Sequence, residues 1–186
     1  MRKNNVQALA QTAVLLALLI VLGMVPAVPT GILPIPIVLQ NLGVMLIALL
    51  LGPRWGSAAM VAFFALVAAG LPVLSGGRGG LAVLSGPTAG YLLAWALTPV
   101  LVFACQRLLV GWSGKLSQPL ALWLGAVASS YLLGTLVLVG QTHLPFWPSL
   151  WANWAFILGD TAKVVIALIL YRAVQRFGLV KTGVRS

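Results

Sequence analysis

Asp160 is the only acidic side chain in 186 residues, and it lies inside an apolar run with Lys163 three positions further on. Trp154 to Gly159 lead into the pair and Val164 to Leu170 follow it, all uncharged. A soluble domain is charged at about a quarter of its residues. Here charged residues make up 6% of the chain against 61% hydrophobic, so so much apolar surface cannot be hidden in water at this length. The chain reads as an integral membrane protein of a single domain, residues 1–186, with no soluble module attached.

Proline, glycine and basic residues divide the apolar sequence into six segments, near 7–25, 37–51, 55–71, 87–109, 119–139 and 151–174. A helix needs about 20 residues to cross a bilayer, with about 17 the usual lower limit. The second segment falls short and is expected to be tilted or partly buried. Arg2 and Lys3 ahead of the first run imitate a secretory leader. That run leads instead into Pro26, Pro29, Pro34 and Pro36 without a small-residue cleavage site, so it is expected to stay as a membrane helix. The expected fold is all-α, with six transmembrane helices in one bundle.

The net charge of +10 invites a nucleic-acid reading, but the basic residues sit at the ends of apolar runs and share no face. They set topology instead. With both termini cytoplasmic, Arg2, Lys3, Arg54, Arg107, Lys115, Arg172, Arg176, Lys181 and Arg185 all fall on the inner side. Arg78 and Lys163 are the exceptions, and both lie toward the outer side. Trp147, Trp151 and Trp154 gather at the outer end of the last helix, while Trp55 and Trp112 mark the inner boundary, as interfacial rings do. Trp154 also stands close enough to Asp160 in sequence to wall a pocket.

Enzymatic chemistry finds little support. Gly114-Lys115 lacks the upstream glycine of a phosphate-binding loop. One carboxylate cannot supply an acid/base pair. His143 and Cys105, the only residues of their kinds, make neither a metal site nor a nucleophile pair, and no intrachain disulfide can form.

Ionisable groups at membrane depth are costly, at about 2.5–3.5 kcal/mol each on insertion scales, and usually mark a ligand or ion site. The three-residue spacing puts Asp160 and Lys163 on one helix face, as a neutral pair offering an acceptor and a donor. The alternative is an ion pair that staples helices. Ser75-Gly76-Gly77-Arg78-Gly79-Gly80 forms a glycine-rich outer loop whose backbone can approach an anion closely, with Arg78 at its centre. Pro87 at a first helical position, with Thr88 and Tyr91 in the first turn, fits a helix start facing the same side. The prolines from Pro26 to Pro36 stiffen another outer loop into a rim or lid. Gln40 either faces a ligand or bonds a neighbouring helix. Ala13 and Ala17, one turn apart, permit close approach by another helix.

Taken together these stretches resemble the BioY family, the biotin-specific substrate-binding (S) components of energy-coupling factor transporters. The resemblance rests on Pro34 to Gln40, Leu51-Gly52-Pro53-Arg54, Gly70-Leu71-Pro72-Val73, Gly76 to Gly80, Leu84 to Leu93 and Leu158-Gly159-Asp160-Thr161-Ala162-Lys163. Ala89 stands where the family pattern has glycine, and Leu158 where it has proline. The resemblance implies a six-helix bundle that takes biotin from the outside and works with a transmembrane coupling protein and two ATPases, in a bacterial inner membrane, with no cofactor of its own. Ala13 and Ala17 look like the motif through which such components dock on the coupling protein. On this reading Asp160 meets the ureido donors and Lys163 the ureido carbonyl, or else orients Asp160. Tyr91 stacks on the rings or hydrogen-bonds near them, and Thr88 belongs to the same substrate site. Arg78, with the amides of Gly79 and its neighbours, or Gln40, meets the carboxylate. The rivals are an S component for thiamine or riboflavin, a lipid-modifying enzyme, and an assembly protein without a ligand. A homo-oligomer stays open.

Overall fold

The computed structural model describes residues 2–29, 31, 36–111 and 116–177. Pro34, Ile35, Trp112, Gly114, Lys115, Lys181 and Arg185 lie outside these, as do the neighbouring positions of the first loop and the last residues of the chain.

Among the described residues the fold is all-helical with no strand. The elements are α1 (Arg2–Gly23), α2 (Gln40–Ala68), α3 (Leu81–Leu84), α4 (Ala89–Leu108), α5 (Ser117–Thr142), α6 (Phe146–Ala152) and α7 (Trp154–Arg176). Five of these helices are long and apolar enough to cross a membrane, namely α1, α2, α4, α5 and α7. The short α3 falls in a stretch read from sequence as loop, while α6 takes in loop residues and the first two positions of the segment expected over 151–174, so that the last long helix starts only at Trp154.

Helix α2 takes up the second and third predicted segments and is not straight. At its 29 residues a straight helix would run about 43 Å. Yet Gln40 at its start donates through Nε2 to the Val73 carbonyl at 2.8 Å, beyond its far end. The chain has therefore doubled back between them. The break is at Gly52, whose φ of 68° and ψ of −169° are non-helical. Pro53 cannot donate an N–H and excludes the preceding residue from helical geometry, and the positive φ suits glycine alone at low cost. Leu42 to Gly52, the first arm of the hairpin, is buried at every position. A helix apolar all round belongs inside a protein, which explains how so short an arm is tolerated: other helices, not lipid, surround it.

Helix α1 packs on α2 through Thr12, Leu15 and Leu19, one face at helical spacing, while Ala13 and Ala17 look outward. Helix α4 is the hub, touching α2 on one side and α5 on the other. Helix α4 begins at Ala89 with Thr88 as its N-cap, so Pro87 lies in the preceding turn and not at a first helical position. Helix α7 runs unbroken through Leu158 and Gly159, where no proline stands to remove a helical N–H.

Candidate functional site

Two adjoining cavities open at one end of the bundle and share Pro36, Val38, Tyr91 and Trp95 as a common wall. The first, of about 480 Å³ including space open to solvent, holds Asp160, Lys163, Asn41, Tyr131 and Ser130, closed by Phe156. The second, about 350 Å³ on the same measure, is lined by Gln40, Ser75, Arg78 and Thr88. Arg78 and Lys163, the two departures from the inner-side charge pattern, are also the basic side chains that line these cavities.

The Asp160 carboxylate is the centre of the first cavity. Lys163 Nζ donates to its Oδ1 at 2.9 Å, and Asn41 Nδ2 donates to the same oxygen at 2.8 Å. The Tyr131 hydroxyl donates to Oδ2 at 2.9 Å. A carboxylate has about four acceptor positions, so one on Oδ2 stays open. Lys163 also donates to the Val38 carbonyl at 2.8 Å, which spends two of its three N–H groups and leaves one. Both residues of the ion pair are under a tenth exposed. Asn41 Oδ1 is buried and has no hydrogen-bond partner.

Local sequence explains how these groups converge. Asp160 and Lys163 stand on one face of α7 by their spacing. Asn41 is the second residue of α2, and Val38 precedes it in a segment clasped by reciprocal Val28–Ile37 backbone hydrogen bonds of 2.9 and 2.8 Å. Tyr131 and Ser130 follow a π-helical stretch, Trp123–Ala128, inside α5. Such wide turns recur at functional sites because they re-aim side chains. Here Ala126, Ser130 and Tyr131 all reach the cavity.

Tyr91 contributes its ring to both cavities, while its hydroxyl donates to Asn153 Oδ1 at 2.8 Å. Asn153 is itself held by Thr135, Ser149 and Leu150. The Tyr91 hydroxyl is thus committed to the protein, and the ring is what faces the cavity. Gln40 is wholly buried: Nε2 donates to the Leu19 and Val73 carbonyls, and Oε1 accepts from Ser75 N–H at 3.1 Å. Of the two readings open from sequence, the bond to neighbouring backbone is the one seen.

The glycine-rich loop is closed by a reciprocal Leu74–Arg78 backbone pair at 3.0 and 3.2 Å, with Gly76 and Gly77 at φ of 80° and 67° turning the chain. The exposed Arg78 is steadied by Nε donating to the Ser75 carbonyl at 3.2 Å, which leaves most of its guanidinium free to meet an anion. Gly79 lines neither cavity; it packs against the Leu71 carbonyl so closely that a Cβ would overlap it. Trp147, Trp151 and Trp154 are strongly exposed and line neither of these two cavities, whose aromatic walls include Trp95 and Phe156 in place of the Trp154 that sequence offered as an alternative. Among the described residues no His, Cys, Asp or Glu cluster could hold a metal ion.

Asn41, Tyr131, Trp95 and Phe156 went unnoticed in the sequence. The signals were weak: Asn41 directly follows Gln40, and Tyr131 closes the longest polar interruption of its segment, Ser129-Ser130-Tyr131.

A helical bundle with five helices long and apolar enough to cross a membrane, and a mixed polar and aromatic cavity at one end, has the architecture of a small-molecule-binding membrane protein. The chain belongs to the BioY family, which it matches over residues 1–179. It is 38% identical over 180 residues to a biotin transporter BioY of Lactococcus lactis, covering 94% of both chains. To a biotin transporter BioY of Rhizobium etli it is 40% identical over 172 residues, covering 90% of this chain and 92% of the relative. The fold is similar to a crystal structure of the S-component for biotin from an ECF-type ABC transporter, with a TM-score of 0.88, 36% identity and coverage of 95% and 94%.

Proposed function

We propose that this chain is the biotin-capturing S component of an energy-coupling factor transporter, taking the vitamin from the outer face and passing it inward with a coupling protein and two ATPases. It catalyses no reaction and carries no cofactor; biotin is its cargo. The observation that carries this reading is the first cavity, where an ion pair is held by its neighbours yet keeps an acceptor position on Asp160 Oδ2 and a donor on Lys163 Nζ. A cyclic urea presents the complementary N–H and C=O. Tyr91, Trp95 and Phe156 supply the apolar walls against which the fused rings lie.

The second cavity takes the acyl tail. Arg78 meets the carboxylate, aided by Thr88 and by the backbone of the glycine loop, while Gly79 and Gln40 hold that loop in shape. The two arms of α2 count as separate crossings, so that with α1, α4, α5 and α7 the chain crosses a bacterial plasma membrane six times as one domain, both termini cytoplasmic. Lipid then covers the exposed apolar faces, and Ala13 and Ala17 meet the coupling protein.

Equilibrium binding of labelled biotin to the purified chain tests the reading. Retention in the nanomolar to micromolar range, about −12 to −8 kcal/mol, with no competition by thiamine or riboflavin, is expected. Failure to retain biotin at micromolar concentration rejects it.

A further inference from the structure

Asn41 carries a feature that the Asp160–Lys163 pair does not explain. Its amide orientation is fixed by electrostatics: Nδ2 lies 2.8 Å from Asp160 Oδ1, and turning the amide over would set its carbonyl against a carboxylate. Its Oδ1 is therefore committed to point elsewhere, and there it is buried with no partner. Buried acceptors without partners are uncommon, and each calls for a reason. Among the described residues the other buried side-chain polar atoms without partners are Ser57 Oγ and Ser75 Oγ. Ser57 lines neither of the two adjoining cavities and Ser75 lines the second, so Asn41 is the orphan that lines the cavity holding the ion pair.

The residue's other neighbours sharpen the point. Asn41 Nδ2 and Lys163 Nζ converge on one oxygen, Asp160 Oδ1. The groups with unused hydrogen-bonding capacity around that oxygen are an acceptor position on Asp160 Oδ2, a donor on Lys163 Nζ and the acceptor Asn41 Oδ1. A cyclic urea has one carbonyl flanked by two N–H groups, so it needs two acceptors and one donor. Asp160 alone serves one N–H, because Tyr131 already occupies one position on Oδ2. The second N–H needs an acceptor of its own.

We infer that Asn41 is a specificity-determining residue, its Oδ1 accepting one ring N–H of the ligand while Asp160 Oδ2 accepts the other. The inference rests on the biotin reading above. It assigns each nitrogen a separate reader, which makes the two distinguishable by chemistry.

The test uses the full chain in detergent or nanodiscs, with labelled biotin competed by biotin and by its two ring N-methyl regioisomers. The parent is expected to reject both regioisomers relative to biotin. Asn41→Ala is expected to bind biotin about tenfold or more weakly and to lose its discrimination against one regioisomer, keeping it against the other. Asn41→Leu, which fills the space without a polar group, is expected to weaken biotin equally and provides the comparison should the alanine variant fold poorly. Two results overturn the inference. One is parental biotin affinity in both variants. The other is an equal loss for biotin and both regioisomers, which would mean that Asn41 only holds Asp160 in place. A parent that binds biotin beside indifferent Asn41 variants sinks this inference alone; a parent that binds no biotin sinks the functional reading with it.

Discussion

Lys163 Nζ reaches the Val38 carbonyl at 2.8 Å across 125 residues of sequence, while also holding Asp160. The ammonium thus straps α7 to the segment that leads into α2 and walls both cavities. Removing it leaves a carboxylate in a site where both partners are largely buried. Breaking such a pair by losing one partner costs about 3–5 kcal/mol, whereas neutralising both costs far less. Lys163→Met is expected to lower the thermal unfolding midpoint more than Asp160→Asn with Lys163→Met together, while both abolish tight biotin binding. Thermal scans of the purified variants check the order. Equal midpoints would show that the pair is not a coupled unit.

Arg78 stands in the other cavity with only Nε engaged, to the Ser75 carbonyl. A guanidinium so exposed would act on an anionic tail through charge, which salt screens. Arg78→Ala is expected to weaken biotin severalfold at low salt and less at high salt, without weakening biotinamide. Competition binding at two ionic strengths measures this; an equal loss for acid and amide would remove Arg78 from the tail.

Gly134 in α5 lies against the Tyr91 ring so closely that an added Cβ would overlap the ring itself. The ring is also pinned at its other end by the hydroxyl bond to Asn153. It has no relaxed place to move to, and overpacking of this kind costs about 1–3 kcal/mol. Gly134→Ala is expected to destabilise the protein by that order and to weaken biotin, because Tyr91 walls both cavities. Tyr91→Leu in the Gly134→Ala background, relieving the overlap, is expected to recover stability and not affinity.

Much of this arrangement was legible in the residues. Asp160 and Lys163 stood out because charge is so rare in this chain, and Gly52-Pro53 announced a break because neither residue continues a helix. The partners of the pair were not legible. Asn41 and Tyr131 are ordinary polar residues in apolar helices, and only the fold-back of α2 and the π-turn of α5 bring them to Asp160. Gln40 looked equally suited to ligand or backbone, and the difference is made by Val73 and Ser75, which return to it only after the hairpin closes. Trp154 was misleading for a related reason: sequence proximity to Asp160 says nothing about which side of α7 a ring takes, and here it points away.

Helix α1 touches the rest of the bundle mainly through α2, and its outward face carries Ala13 and Ala17 where larger apolar residues would satisfy lipid equally well. Small side chains gain nothing against acyl chains but let another helix approach closely. Neither alanine lines either cavity. Ala13→Leu with Ala17→Leu is therefore expected to leave the biotin dissociation constant of the isolated chain unchanged and to impair uptake driven by the coupling module. A bulkier α1 face would deny a coupling protein the close approach that two alanines permit. Binding measured on purified protein and uptake measured in cells expressing the whole transporter separate the two effects. Normal uptake by the double variant would show that the partner docks elsewhere, and a matching loss of binding would show that α1 shapes the site through α2.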